Sequence, residues 1–170
     1  MLIDRIEAQK NPIKHTLVAL VENKPGVLNR VASLFRRRNF NIDSLSVGMT
    51  DDPTVSRMTI VVDASKTSAS LVERNLYKCV DVLDVHDLTN VPSVIREMAL
   101  IKVNIADTHK RSEVKQIADM YEARVVDVAN DSLMLEITGT EDKIDAALKI
   151  LSDYGIKEVV RTGRIAMARR

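Results

Sequence analysis

Glu22-Asn23-Lys24-Pro25-Gly26-Val27-Leu28 joins two segments of different hydrophobic period, and the fold of the first half of the chain turns on it. Upstream, Leu17, Ala19 and Val21 alternate with Thr16, Val18 and Leu20 in an apolar run short enough for a buried strand. Downstream, Leu28, Val31, Ala32 and Phe35 recur at helical spacing, and Arg36, Arg37 and Arg38 fall in the last turn, where cations suit the helix dipole. The quoted stretch is therefore a strand end, a tight turn and a helix start. Asn39 is the expected helix stop.

Beyond that helix, Leu45, Val47 and Met49 share one face of a strand over 41–49. Met58, Ile60 and Val62 share one face of a strand over 56–62, and Asp51-Asp52-Pro53 supplies the turn between them. A second helix over 66–78 carries Leu71, Val72 and Leu76, and a Val-rich fourth strand is expected over 79–88. The order is βαββαβ, a ferredoxin-like unit.

After Asn90 and Pro92 the order starts again. A strand over 95–105 alternates Ala99, Ile101, Val103 and Ile105, and a helix follows with Val114, Ile117, Ala118 and Tyr121 as its stripe. Residues 125–129 and 133–137 flank Asn130-Asp131 as a hairpin. Thr140 is a good N-cap, Glu141 and Asp142 load the first turn with acid, and Gly155 ends a helix whose apolar face is Ile144, Ala147, Leu148 and Leu151. A last strand is expected over 156–166. The expectation is an α+β chain of two ferredoxin-like βαββαβ domains in tandem, one in residues 1–90 (core about 14–88, after an extension of residues 1–13), the other in 91–170. Open sheet edges favour side-by-side pairing, so at least a dimer is expected.

Composition narrows the function. With no Trp, two Phe and three Tyr in 170 residues, there is little surface for stacking bases or sugar rings. A net charge of +1 gives no global field toward nucleic acid or an anionic membrane. No apolar run approaches the length of a membrane span, and residues 1–14 carry acids and no signal-like core. A lone Cys79 forms neither an internal disulfide nor a metal cluster, so a cytoplasmic location is expected.

Catalytic chemistry finds little support. The five glycines are too dispersed for a dinucleotide or phosphate loop. His15, His86 and His109 fall on different elements without metal-ligand spacing, and Cys79 reads as a small core residue. Asp51 and Asp52 are explained by the turn. Arg36 to Arg38 read equally as a contact patch or as a solvated helix end.

The quoted turn has the chemistry of a ligand loop. A first helical turn offers unpaired N–H groups and positive partial charge, Gly26 removes a side chain that would keep a carboxylate from the backbone, and Asn23 can both donate and accept. Val27 and Leu28 read either as an apolar wall selecting a branched side chain or as core.

An Asn-x-Pro-Gly-Val-Leu loop between first strand and first helix resembles an ACT domain. Further stretches narrow the resemblance: Arg30-Val31-Ala32-Ser33-Leu34-Phe35, Asn41-Ile42-Asp43-Ser44-Leu45, Ser56-Arg57-Met58-Thr59 and Val80-Asp81-Val82-Leu83-Asp84-Val85. With Glu97-Met98-Ala99-Leu100-Ile101-Lys102-Val103 and Thr162-Gly163-Arg164 in the second half, nearly the whole chain is similar to the small regulatory subunits of acetolactate synthase. The resemblance implies a non-catalytic regulator in branched-chain amino-acid biosynthesis. Such a protein activates a catalytic large subunit and confers feedback inhibition by a branched-chain amino acid, most often valine. It implies a homodimer through ACT domains with the effector at the interface: Asn23, Gly26, Val27 and Leu28 from one chain, Asn41 and Ile42 from its partner. Thiamine diphosphate, FAD and magnesium are implied for the large subunit, none for this chain. The alternative is a free-standing ACT amino-acid sensor acting on another enzyme.

Overall fold

The computed structural model describes residues 14–63, 65, 67–105 and 107–169, so the extension over residues 1–13 lies outside the described residues. The described chain divides into two compact units, one formed by residues 14–95 and 164–169, the other by residues 96–163. The sequence pattern places the boundary between 90 and 91.

The first unit runs β1 (Lys14–Glu22), α1 (Val27–Arg37), β2 (Ile42–Met49), β3 (Val55–Asp63), α2 (Ala69–Leu76) and β4 (Val82–Asp87). Its sheet has the order β2-β3-β1-β4 with every neighbouring pair antiparallel, the ferredoxin-like arrangement. Leu17, Ala19, Val21, Met58, Ile60 and Val62 point to one face and close a core with Val27, Val31, Leu34 and Phe35 of α1 and with Val72 and Leu76 of α2. These side chains are nearly all fully buried, and each one larger than alanine is worth about 1.5–3 kcal/mol of transfer free energy.

The reversal after α1 is a Schellman motif. Asn39 sits at φ +55°, Phe40 N–H donates to the Phe35 carbonyl at 3.0 Å and Asn39 N–H to that of Arg36 at 3.1 Å. Phe40 also packs edge-on against Phe35, ring centroids 5.9 Å apart. Asn at this position takes the left-handed conformation its short amide tolerates.

Three expectations for this unit shift. The strand expected from 79 begins at Val82, because Cys79 and Val82 are tied into turns by N–H bonds to the Leu76 and Cys79 carbonyls, which leaves Val80 89% exposed. The β2 stripe is only partly covered: Leu45 packs on the core while Val47 and Met49 are left exposed, since β2 is an edge strand among the described residues. The second helix covers Ala69–Leu76, shorter than 66–78.

The expected last strand over 156–166 is two strands, β8 (Ile156–Arg161) and β9 (Ile165–Ala168). Gly163 at φ +78° turns the chain between them. Beyond this turn the chain packs in the first unit. Ala166 meets Val18, Leu88 and Ile95 in a small cluster, its carbonyl accepts from Arg57 Nη2 at 2.7 Å, and Arg169 N–H donates to the Pro92 carbonyl. This explains why Val18, on the sheet face away from α1 and α2, is also fully buried.

The second unit repeats the pattern with β5 (Ser93–Asn104, from residue 96 on), α3 (Thr108–Met120), β6 (Arg124–Val128), β7 (Ser132–Gly139), α4 (Glu141–Leu151) and β8, in the order β6-β7-β5-β8. Thr140 caps α4 by accepting from Lys143 N–H, and Asp107 caps α3 by accepting from Lys110 N–H. Ala99, Ile101, Val103, Leu135, Ile137, Ile144 and Leu151 form its core. Arg161 joins buried Glu97 to Asp145, so the charges compensate one another within the fold.

Candidate functional site

The turn between β1 and α1 is held on both sides. Asn23 N–H donates to the Thr54 carbonyl at 2.7 Å and the Asn23 side-chain amide donates to the Pro53 carbonyl at 2.9 Å, fastening the loop to the β2–β3 turn. That turn is in turn set by Asp52, whose carboxylate accepts from Thr54 N–H and Oγ1 and is held below its usual pKa by those bonds. With its amide nitrogen engaged, Asn23 keeps Oδ1 as an open acceptor among the described residues.

Gly26 stands at the N-cap of α1 with φ +87° and ψ −9°, and no side chain caps the helix. Only glycine takes this conformation without strain, and the left-handed turn aims the chain directly into the helix. Val27 is 2% exposed and belongs to the core, whereas Leu28 is 46% exposed beside it. The loop thus combines the open N-terminus of a helix, an acceptor at Asn23 and one exposed apolar side chain.

Asn41 and Ile42 lie elsewhere in the same chain. Ile42 pairs with Val62, and Met49, at the other end of β2, pairs with Ser56 next to the loop end of the sheet. Seven residue steps of strand separate the two ends by about 23 Å at roughly 3.3 Å per step. Asn41 is exposed, its amide donating to Asp43 Oδ1 at 3.0 Å, and Ile42 is half-buried against the core. One chain does not bring the two groups of residues together.

The structure adds two residues that sequence reasoning missed at this loop. Arg30, in the first turn of α1, donates through Nε to Asp81 Oδ2 at 2.5 Å and through Nη2 to Asp81 Oδ1 at 2.8 Å. Asp81 is buried and its carbonyl accepts from Glu22 N–H, so the pair ties α1 to the segment entering β4 just beneath the loop. The hydrogen bond from Arg30 holds the Asp81 carboxyl below its usual range, and the same contact raises the Arg30 guanidinium. A signal was present in the sequence: a cation in a first helical turn without acids opposes the helix dipole and asks for a partner.

Two open cavities of the first unit, about 540 and 620 Å³, are lined by residues of β1, β3, β4 and the 91–92 and 167–169 segments among others, and no residue from 23 to 28 lines either. Among the described residues no helix is long and apolar enough to cross a membrane, and no three His, Cys, Asp or Glu side chains converge as a metal site would require.

Comparison with known proteins gives consistent matches in both halves. The family model described as "AHAS small subunit-like ACT domain" matches residues 17–84, and that described as "Small subunit of acetolactate synthase" matches residues 96–170. The chain is 48% identical over 157 residues to the "Probable acetolactate synthase small subunit" of Archaeoglobus fulgidus, an alignment covering 92% of this chain and 98% of that protein. It is 45% identical over 159 residues to the "Acetolactate synthase small subunit" of Mycobacterium bovis, covering 94% of each. A crystal structure of the acetolactate synthase small subunit from Thermotoga maritima superposes with a TM-score of 0.83 at 37% identity, covering 92% of this chain and 98% of that one.

Proposed function

The chain belongs to the acetolactate synthase small-subunit family, and on that premise we propose that it activates a catalytic large subunit and makes it sensitive to a branched-chain amino acid, valine first. The observation that carries the reading is the left-handed Gly26 turn opening α1 at the end of the sheet, with β2 as an edge strand among the described residues. Two chains pairing β2 edge to β2 edge in antiparallel sense would bring the Ile42 end of one strand to the Met49 end of the other. The Asn41 and Ile42 of one chain then face the Asn23–Leu28 loop of the next. Separation of the two residue groups within one chain supports a site completed by a second copy, and exposed Val47 and Met49 supply apolar surface for the pairing.

In such a site the α1 N-terminus takes the effector carboxylate, Asn23 Oδ1 and the Asn41 amide oxygen take its ammonium, and Leu28 borders its side chain while Val27 anchors the loop in the core. Effector binding biases the arrangement of the paired chains, and a differential affinity of about 1–3 kcal/mol between two arrangements shifts the equilibrium between them about 5- to 150-fold. Thiamine diphosphate, FAD and magnesium chemistry is assigned to the large subunit. The test is acetolactate formation by the large subunit alone and with this chain, each with and without valine. Activation together with new valine inhibition is expected. An unchanged rate in all four mixtures would defeat the assignment.

A further inference from the structure

Resting on the effector reading above, we infer that Arg30 is the cation that recognises the effector's carboxylate, held in place for that task by Asp81. A helical side chain leans toward the N-terminus and covers the turn before its own Cα, so a residue four positions after Gly26 lies over Gly26. Nε and Nη2 of Arg30 are both spent on the buried Asp81, at 2.5 and 2.8 Å. The third guanidinium nitrogen, Nη1, has no partner among the described residues. It lies 3.3 Å from the point where a β carbon on Gly26 would stand.

This geometry separates two roles within one side chain. The Asp81 fork fixes the plane of the guanidinium, which a single hydrogen bond would leave free to swing, and a planar, permanently charged donor set is what a carboxylate matches. The remaining N–H groups stand beside the opening turn of α1, with Nη1 close over Gly26. Half of the Arg30 side chain is exposed, 49% against 8% for Asp81, so the group is reachable from solvent while its anchor is not. The other cation of the loop, Lys24, is already paired with Glu22 at 2.9 Å. Absence of a side chain on Gly26 therefore has a second consequence besides backbone freedom: it lets the guanidinium lie close over the backbone at the start of α1.

The experiment compares calorimetric affinities of the full chain for valine and for valinamide, which keeps the ammonium and the isopropyl group but has no carboxylate, in the natural sequence and in Arg30→Gln. The natural chain is expected to prefer valine, and Arg30→Gln should cut that preference about tenfold, the loss expected for one charge-assisted hydrogen bond. A fall in both affinities by the same factor would mean that Arg30 only braces α1 against Asp81, and would overturn the inference. Unchanged affinities would overturn it as well. If the natural chain bound neither ligand, the effector reading itself would fail and take the inference with it.

Discussion

Gly26→Ala isolates what the left-handed turn contributes. At φ +87° an L-residue suffers strain of roughly 1–2 kcal/mol, while alanine makes the unfolded chain less flexible and returns about 0.4–1 kcal/mol. The added β carbon meets Arg30 Nη1 at 3.3 Å, so the guanidinium held by Asp81 must give by a few tenths of an ångström. The net cost is about 1 kcal/mol, which in a unit of this size lowers the melting temperature by roughly 4–8 °C. Gly26→Asn should cost less than Gly26→Ala, because Asn tolerates a positive φ better than Ala does, as Asn39 shows at φ +55°. Thermal unfolding followed by circular dichroism measures both, and calorimetry on the same samples should show weaker valine binding in both variants, since each fills the space under Arg30. An Asn variant as destabilised as the Ala variant would refute the backbone argument. Retained affinity in both would refute the close approach of ligand to backbone.

Asn23→Ala should reduce valine sensitivity while leaving activation of the large subunit in place, with a stability loss of about 1 kcal/mol or less from the exposed bond to Pro53. Asn41→Ala should do the same to sensitivity with no measurable change in melting, and loss of activation in either would mark these residues as structural. Arg161→Gln strands the buried Glu97 carboxylate and should destabilise the second unit by about 3–5 kcal/mol, read as the chemical denaturation midpoint; a loss under about 1 kcal/mol would show that solvent reaches Glu97. Asp52, Asp81, Asp84, Glu122 and Asp131 all have folded pKa values below the ordinary 3.8 of Asp or 4.5 of Glu, through hydrogen bonds from Thr54, Arg30, Tyr77, Lys143 and Lys157 respectively. Lowered folded values mean stability that is present above the unfolded pKa and lost as pH falls through the folded one. Melting should therefore hold steady from neutral pH to about 5 and decline below about 4; a decline already under way above pH 6 would contradict this.

Much of the fold was legible because hydrophobic period changes where the elements change. The alternation at Leu17, Ala19 and Val21 against the helical stripe of Val31 and Phe35 located β1 and α1, and the Asn39 stop carries the left-handed geometry expected of it. Local pattern failed where the decision was made at long range. Val80 looks like strand sequence, yet turns after α2 hold it in solvent. Residues 165–168 continue the apolar composition of β8, but only the packing of Ala166 with Val18 and Leu88 shows which unit they serve. At the site, the loop residues were readable from a single short stretch. The Arg30–Asp81 pair spans 51 positions and announced itself only through the awkward placement of a cation in a first helical turn.

The claim that the effector lies between two chains is tested most directly by mixing two variants, Asn23→Ala and Asn41→Ala, each of which should bind valine poorly alone. In a mixed dimer the intact loop of one chain meets the intact Asn41 of the other, so mixing under subunit exchange should restore about a quarter of the sites, from half the dimers each with one good site of two. Calorimetric recovery of that fraction is the predicted result. If mixing restored nothing while tagged subunits demonstrably exchanged, Asn23 and Asn41 would not share a site across the interface, and the two-chain account would be contradicted.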